Sequence, residues 1–334
     1  MNSKKHYRSI LLVLAIILPF TSFAQYADSD LGHDGFMGNV KSVKITAYTV
    51  IEKDGKFTRG DYSRYQIRSY TNSGSLVNAR DYSADGAVLH TLENTFDEGG
   101  KLLELTEQMG EMILKREVNN YDAAGNLIEK ITYTGDGSIN KKVSNVYNSK
   151  NQLVEKAEFA MSFGELYLSQ KTIFEYNKSG KIEKGSYLGP EGESWGSGEW
   201  KFDSEANEIE WLNLTETGEI KIRQTSQYND KNILIARKSF DKDGTLTNET
   251  TLDHYGQPLT LIRYNPEGNI LLKSGNRFDQ FGNNVAELSY SPDGTESVNV
   301  EHQYTYDDND NWIEQTTYQK GSAVYIAGRE ITYY

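Results

Sequence analysis

The sequence predicts an all-β protein: an elongated or curled antiparallel sheet of tandem β-hairpin repeats, with about 26 residues per double unit and a β-propeller as the alternative. Three observations predict it. A phrase of an aromatic residue, Asp or Asn, two variable residues and Gly recurs down the chain. Alternating stretches rich in Val, Ile, Thr and Tyr run between its copies. After residue 24, no stretch keeps a capped helical period, so almost no helix is expected.

The first element is a signal peptide over residues 1–24. Lys4, Lys5 and Arg8 form a positive n-region, Ile10 to Phe20 is an apolar run of eleven residues, and Ser22-Phe23-Ala24 offers a cleavage site that leaves Gln25 first. Eleven residues fall short of the roughly 20 that span a bilayer as a helix. The expected location is therefore exported: periplasmic, cell-surface or extracellular, with no integral membrane segment after cleavage. Residues 25–39, with Gly32, Gly35 and Gly38, read as a polar linker or flexible cap. Val40 to Ile51 alternates and reads as the first, capping strand of one β domain over 40–334.

Within that domain the phrase begins clearly at Phe96, Tyr121, Tyr176, Phe278 and Tyr306. A looser phrase lies between, at Tyr82, Tyr133, Phe240, Tyr264 and Tyr290. From Tyr121 the first phrase steps by 26, 29, 26, 26, 24, 26 and 28 residues, and about ten double units fit. Each unit reads as a hairpin, because Asp or Asn starts the turn and Gly accepts its positive φ. Gly125, Gly244 and Gly268 are placed at that position. Leu127, Ile131 and Tyr133 share one face with Glu129; Val298, Val300, Tyr304 and Tyr306 are expected to share another. About twenty strands cannot stay flat, since sheets twist and curl beyond roughly ten. Repeats that touch only their neighbours would lose stability stepwise when units are removed from one end.

YDAAGNLIEK (Tyr121–Lys130) and YTYDDNDNWIE (Tyr304–Glu314) resemble the YD repeat, also called the Rhs repeat. That repeat builds the shells of bacterial polymorphic toxins, insecticidal toxin complexes and teneurins. The resemblance covers roughly Tyr70 to Tyr318 and implies a β-strand shell or spiral with a role in binding or enclosure. The sequence has no Asp-Pro dipeptide of the kind those toxins carry in their closing region. The resemblance thus implies a stand-alone repeat protein without the toxin or core-closing domain.

Composition excludes several chemistries. With no cysteine, disulfide frameworks, thiolate zinc sites, cysteine nucleophiles and a lipid-anchored lipoprotein are ruled out. Beyond residue 24, 32 Lys and Arg face 48 Asp and Glu, a balance of −16. So acidic a chain repels phosphate backbones, and nucleic acid is excluded as a partner. Gly192-Glu193-Ser194-Trp195-Gly196 matches a nucleophile elbow in letters, but that motif needs a strand, a turn and then a helix. The downstream histidines, His254 and His302, fall in separate repeats. Asp307, Asp308 and Asp310 share a turn without the spacing of a calcium loop. No catalytic residue, metal site or cofactor is assigned.

The repeat spacing loosens between Tyr187 and Trp211. There Trp195, Trp200 and Trp211, three of the four tryptophans, lie among Gly189, Gly192, Gly196 and Gly198. Aromatic faces can stack on sugar rings or anchor a partner's side chains. Tyr187, Trp195, Trp200 and Trp211 are therefore the candidate ligand-binding residues, with Trp195 expected to be partly exposed. The function read from the sequence is an exported, non-enzymatic binding or scaffold module for glycan, peptide or protein partners. The alternative is a carbohydrate-active or other hydrolytic enzyme on a β-repeat scaffold.

Overall fold

The computed structural model describes residues 29–291 and 293–334. Among these, 22 strands follow one another around a single sheet. They are β1 (Val40–Lys53), β2 (Lys56–Tyr70), β3 (Leu76–Ser83), β4 (Val88–Phe96), β5 (Leu102–Met109), β6 (Met112–Tyr121) and β7 (Leu127–Thr134). Next come β8 (Ile139–Tyr147), β9 (Leu153–Ser162), β10 (Glu165–Tyr176), β11 (Ile182–Leu188), β12 (Ser194–Phe202), β13 (Glu208–Leu214) and β14 (Ile220–Tyr228). The last are β15 (Leu234–Phe240), β16 (Leu246–Leu252), β17 (Pro258–Tyr264), β18 (Ile270–Phe278), β19 (Asn284–Tyr290), β20 (Glu296–Tyr306), β21 (Trp312–Gln319) and β22 (Ser322–Tyr333).

Every strand pairs antiparallel with the next, and β1 pairs with both β2 and β22. The sheet therefore closes into a barrel. The curled antiparallel sheet of tandem hairpins is thus present in a more specific, closed form, and the propeller alternative is corrected: one continuous ladder runs round the molecule and no blades separate. Closure has a physical reason, because an open sheet leaves two edges of unpaired backbone groups, and only a barrel removes both.

The two phrases sort to opposite ends of the barrel. First-phrase turns such as 122–126 and 148–152 lie at the end that holds both described termini; second-phrase turns such as 135–138 and 241–245 lie at the other. In the 122–126 turn, Gly125 N donates to Asp122 O and Asp122 N to Asn126 O, at 2.9 and 3.0 Å. Asp122 Oδ1 accepts from Asn126 N at 2.8 Å, which is why Asp or Asn heads the phrase. Gly125, Gly244 and Gly268 take φ of 87°, 81° and 80°, the left-handed values expected of them. The aromatic residue of the phrase has its own task. Tyr121, Tyr147 and Tyr176 donate their hydroxyls to the carbonyls of Leu102, Leu127 and Leu153, each the first residue of the preceding strand.

One turn at the first end is divided between the chain termini. Tyr333 pairs with Val40 and Thr332 with Ser42, the register that Tyr121, Leu127, Asn120 and Glu129 show across an ordinary turn. Tyr334 N donates to Asn39 O at 3.0 Å, as Asp122 N does to Asn126 O, and Gly38 has φ 72° where Gly125 has 87°. The neighbouring turn treats this composite as one of its own kind. Asn311 exchanges hydrogen bonds with the backbone of Met37, and Tyr333 OH donates to Asp307.

The described part of the segment read as a linker is packed. Ser29 caps a single helical turn, α1 (Asp30–His33), the one helix among the described residues. Leu31 and Phe36 bury themselves against Val40, Val43 and Tyr70, forming the principal apolar cluster. Asp34 accepts from Arg68 and from the Tyr70 hydroxyl. Leu31 and Phe36 cover the apolar ends of β1 and β2, so this stretch is a cap and not a free linker. Val298 also departs from expectation. A bulge pairs Val298 with Leu288 but Val300 with Glu287, so the two valines answer to residues on opposite faces.

Candidate functional site

The loosened repeat folds as three neighbouring strands, β11 to β13. Gly185 pairs with Gly198, Tyr187 with Gly196, and Trp200 with Trp211. Paired residues share a face, so Tyr187, Trp200 and Trp211 stand together on one side of the sheet. The six-membered ring of Trp200 lies over Gly185 and Gly198, where a Cβ on either would meet it. Glycine is needed at 198, where a Cβ would come within 2.7 Å of the ring, while at 185 it would make ordinary contact. Tyr187 OH lies beside the same spot, and burial raises the pKa of its phenol. The outcome is an aromatic platform with a glycine floor.

Neutral polar groups surround it. Thr172 on β10 pairs with Tyr187, Asn213 with Gly198, and Gln224 on β14 with Trp211. Sequence reading did not name these three. Their signal was present in the register, obtained by counting back through each turn, but a bulge at most turns shifts that count by one.

Trp195 stands apart. It is the unpaired residue of the bulge at the head of β12. Its indole turns back toward Gly189, donates to Glu193 Oε1 at 3.1 Å, and is 45% exposed. Partial exposure agrees with the expectation. Its neighbours, Ser194, Thr215, Glu216 and Lys221, border a shallow depression at the second end.

The hydrolase letters assemble nothing catalytic. Ser194 opens a strand instead of a helix, and its hydroxyl accepts from Gly196 N. His254 lies in the 253–257 turn at the opposite end, against Tyr255. His302 faces Thr317 and Gln315 on β21, where burial lowers its pKa. Asp307 is spent on its own turn, accepting from Asn309 N, Asn311 N and Tyr333 OH. Among the described residues, no group of three or more His, Asp or Glu could hold a metal ion.

A second cluster was invisible in sequence. The guanidinium of Arg329 lies 4.4 Å from the ring centre of Phe36 and 3.5 Å from that of Trp312. Burial, the largest influence, brings its pKa down to about 9, so it stays charged at neutral pH. Two rings give a buried cation favourable contacts. The cluster exists only because the sheet closes, bringing residue 329 onto residue 36.

No family model matches the chain. No curated protein is similar to it either. Among solved structures, TcdB2-TccC3-TEV is 9% identical with a TM-score of 0.28, covering 85% of this chain and 19% of its own. This chain thus spans about a fifth of that structure's length. A porin-like protein from Bacteroides uniformis is 9% identical with a TM-score of 0.25, over 89% of this chain and 98% of its own. A protein with unknown function from Bacteroides fragilis is 14% identical with a TM-score of 0.19, over 50% of this chain and 95% of its own. Likenesses at these scores carry no argument for function.

Proposed function

We propose that the chain is an exported, non-enzymatic binding barrel of the YD-repeat type whose Tyr187–Trp200–Trp211 platform takes neutral sugar rings. The observation that carries the reading is the placement of Trp200 over paired glycines, with Tyr187 beside it and Trp211 opposite. A sugar's C–H face stacks on such rings, and its hydroxyls need the kind of uncharged partners that Thr172, Asn213 and Gln224 supply. The acidic balance of the chain favours neutral ligands over polyanions.

Charge on both faces supports a barrel bathed in water. Successive residues Glu129 and Lys130 of β7 point to opposite faces, and each is ion-paired, with Lys142 and Glu117 respectively. A membrane barrel instead presents an apolar band on its outer face.

The test is intrinsic fluorescence during titration with neutral oligosaccharides of glucose, xylose and N-acetylglucosamine. A saturable change is expected, weakened about tenfold or more by Trp211→Ala and by Tyr187→Ala. Equal affinity in both variants, with the fold intact by circular dichroism, removes the platform as the site. Trp200→Ala is a poor probe, since it uncovers Gly185 and Gly198 and lowers stability as well. Export is checked separately: protein made with its native leader should begin at Gln25 by mass spectrometry, and full-length protein retained in the cytoplasm contradicts it.

A further inference from the structure

The end of the barrel away from the termini carries a sector that the aromatic platform does not use. Four successive hairpin tips form it: β3–β4, β5–β6, β7–β8 and β9–β10. Val88, Leu89, Met109, Met112, Phe163 and Tyr167 are all exposed there. Single exposed apolar residues are ordinary; their grouping on the β3–β4, β5–β6 and β9–β10 tips, with the small polar β7–β8 tip between, marks an interaction surface. Phe163 is the extreme case. It is fully exposed, with a relative accessibility of 106%, and its φ of 50° lies in the left-handed region. Comparable two-residue turns place Asp54 and Lys320 at that conformation. A bulky aromatic side chain gains nothing from this backbone, and such outliers cluster at functional sites. The hairpin is also long: β9 and β10 have 10 and 12 residues, against 9 in β8 and 7 in β11.

Charge decides what fits. Each of the four tips carries one exposed carboxylate, Asp85, Glu111, Asp136 and Glu165, and no Lys or Arg lies in residues 84–89, 109–113, 135–139 or 161–168. Hydrogen bonds from Ser83 and Thr134 hold Asp85 and Asp136 below the usual carboxylate range, so both are charged at neutral pH. Lys115 and Lys141 stand farther along the strands and are ion-paired with Glu117 and Glu158, so the tips themselves present only carboxylates and disfavour an anionic lipid surface. They complement a chain that alternates apolar and basic side chains.

We propose that this sector docks a basic, amphipathic segment of a partner protein, with Phe163 as the apolar anchor and the four carboxylates pairing with its cations. The site is independent of the sugar platform and does not rest on it.

The probe is a synthetic amphipathic Leu/Lys helix, labelled and titrated with the mature chain by fluorescence anisotropy. Saturable, salt-sensitive binding is expected. Phe163→Asn should weaken it about tenfold or more while leaving the unfolding midpoint unchanged or raised, because Asn tolerates positive φ. The double charge reversal Glu111→Lys with Glu165→Lys should weaken it similarly, and Asp230→Lys at the far end should not. The proposal is overturned if the peptide does not bind at high micromolar concentration. It is equally overturned if the three variants affect binding alike, or if phosphatidylcholine vesicles, and not the peptide, respond to Phe163→Asn.

Discussion

Gly125 and Ala206 occupy the same place in their turns, with φ of 87° and 68°. Asn151, Asn232 and Asp310 fill it elsewhere, at 58°, 60° and 63°. Left-handed backbone costs a Cβ-bearing residue roughly 1–2 kcal/mol, less for Asn and Asp, whose side chains bond locally. Turn geometry overrides that cost at Ala206, because Asp203 N still donates to Asn207 O and Asn207 N to Asp203 Oδ1. Two opposite outcomes follow. Gly125→Ala should lower stability by about 1 kcal/mol, and Ala206→Gly should raise it by about the same amount. Denaturant midpoints at constant slope check both; a loss for Ala206→Gly together with no change for Gly125→Ala would show that the turn position is misassigned. This chemistry is local, which is why the hairpins were legible in sequence even where glycine had been replaced.

Between strands, pairing depends on register, and register was much less legible. A bulge follows most turns, as where Asn120 meets Glu129 but Tyr121 meets Leu127, and each shift of one changes which neighbour a side chain meets. The tryptophan cluster was therefore visible as a composition, while its neutral surround of Thr172, Asn213 and Gln224 was not. Ionic pairing across strands was hidden for the same reason. Glu158 on β9 accepts from Lys141 on β8 at 2.5 Å and from Lys156 at 2.7 Å. Burial alone would raise its pKa, but hydrogen bonds from Lys141, Lys156 and Gln170 outweigh burial and hold it at about 2, below the ordinary 4.5. A carboxylate depressed in the folded state stabilises fully above its unfolded pKa and loses that contribution as pH falls through the folded one. Wild-type protein should thus lose stability between about pH 5 and pH 2 more steeply than Glu158→Gln, with a difference of about 1 kcal/mol at neutral pH for a pair this near the surface. Parallel pH profiles for the two proteins would deny Glu158 that role.

Around the whole molecule the decisive feature is closure, and sequence periodicity could not reveal it. The two halves of the composite turn, GFMGNV at residues 35–40 and ITYY at 331–334, lie at opposite ends of the sequence and each carries only a fragment of the phrase. An open repeat array would lose stability in steps as units are trimmed from one end. A barrel behaves differently, because removing β21 and β22 takes β22 from β1, leaving it only β2, and leaves Phe36 without the Arg329 cation. Deleting residues 312–334 should therefore abolish the cooperative transition and not merely lower its midpoint. The same geometry makes the chain's starting point arbitrary. Tyr334 OH bonds to Tyr70 O, and Ser29 lies beside Gly74 in the turn that follows Tyr70, so a short Gly/Ser linker can join residue 334 to residue 29. Opening such a permutant within the exposed 148–152 turn leaves every strand pairing in place. It should melt as one cooperative unit near the wild-type midpoint, whereas an elongated open sheet would gain nothing from joined ends and would lose the continuity of its central strands.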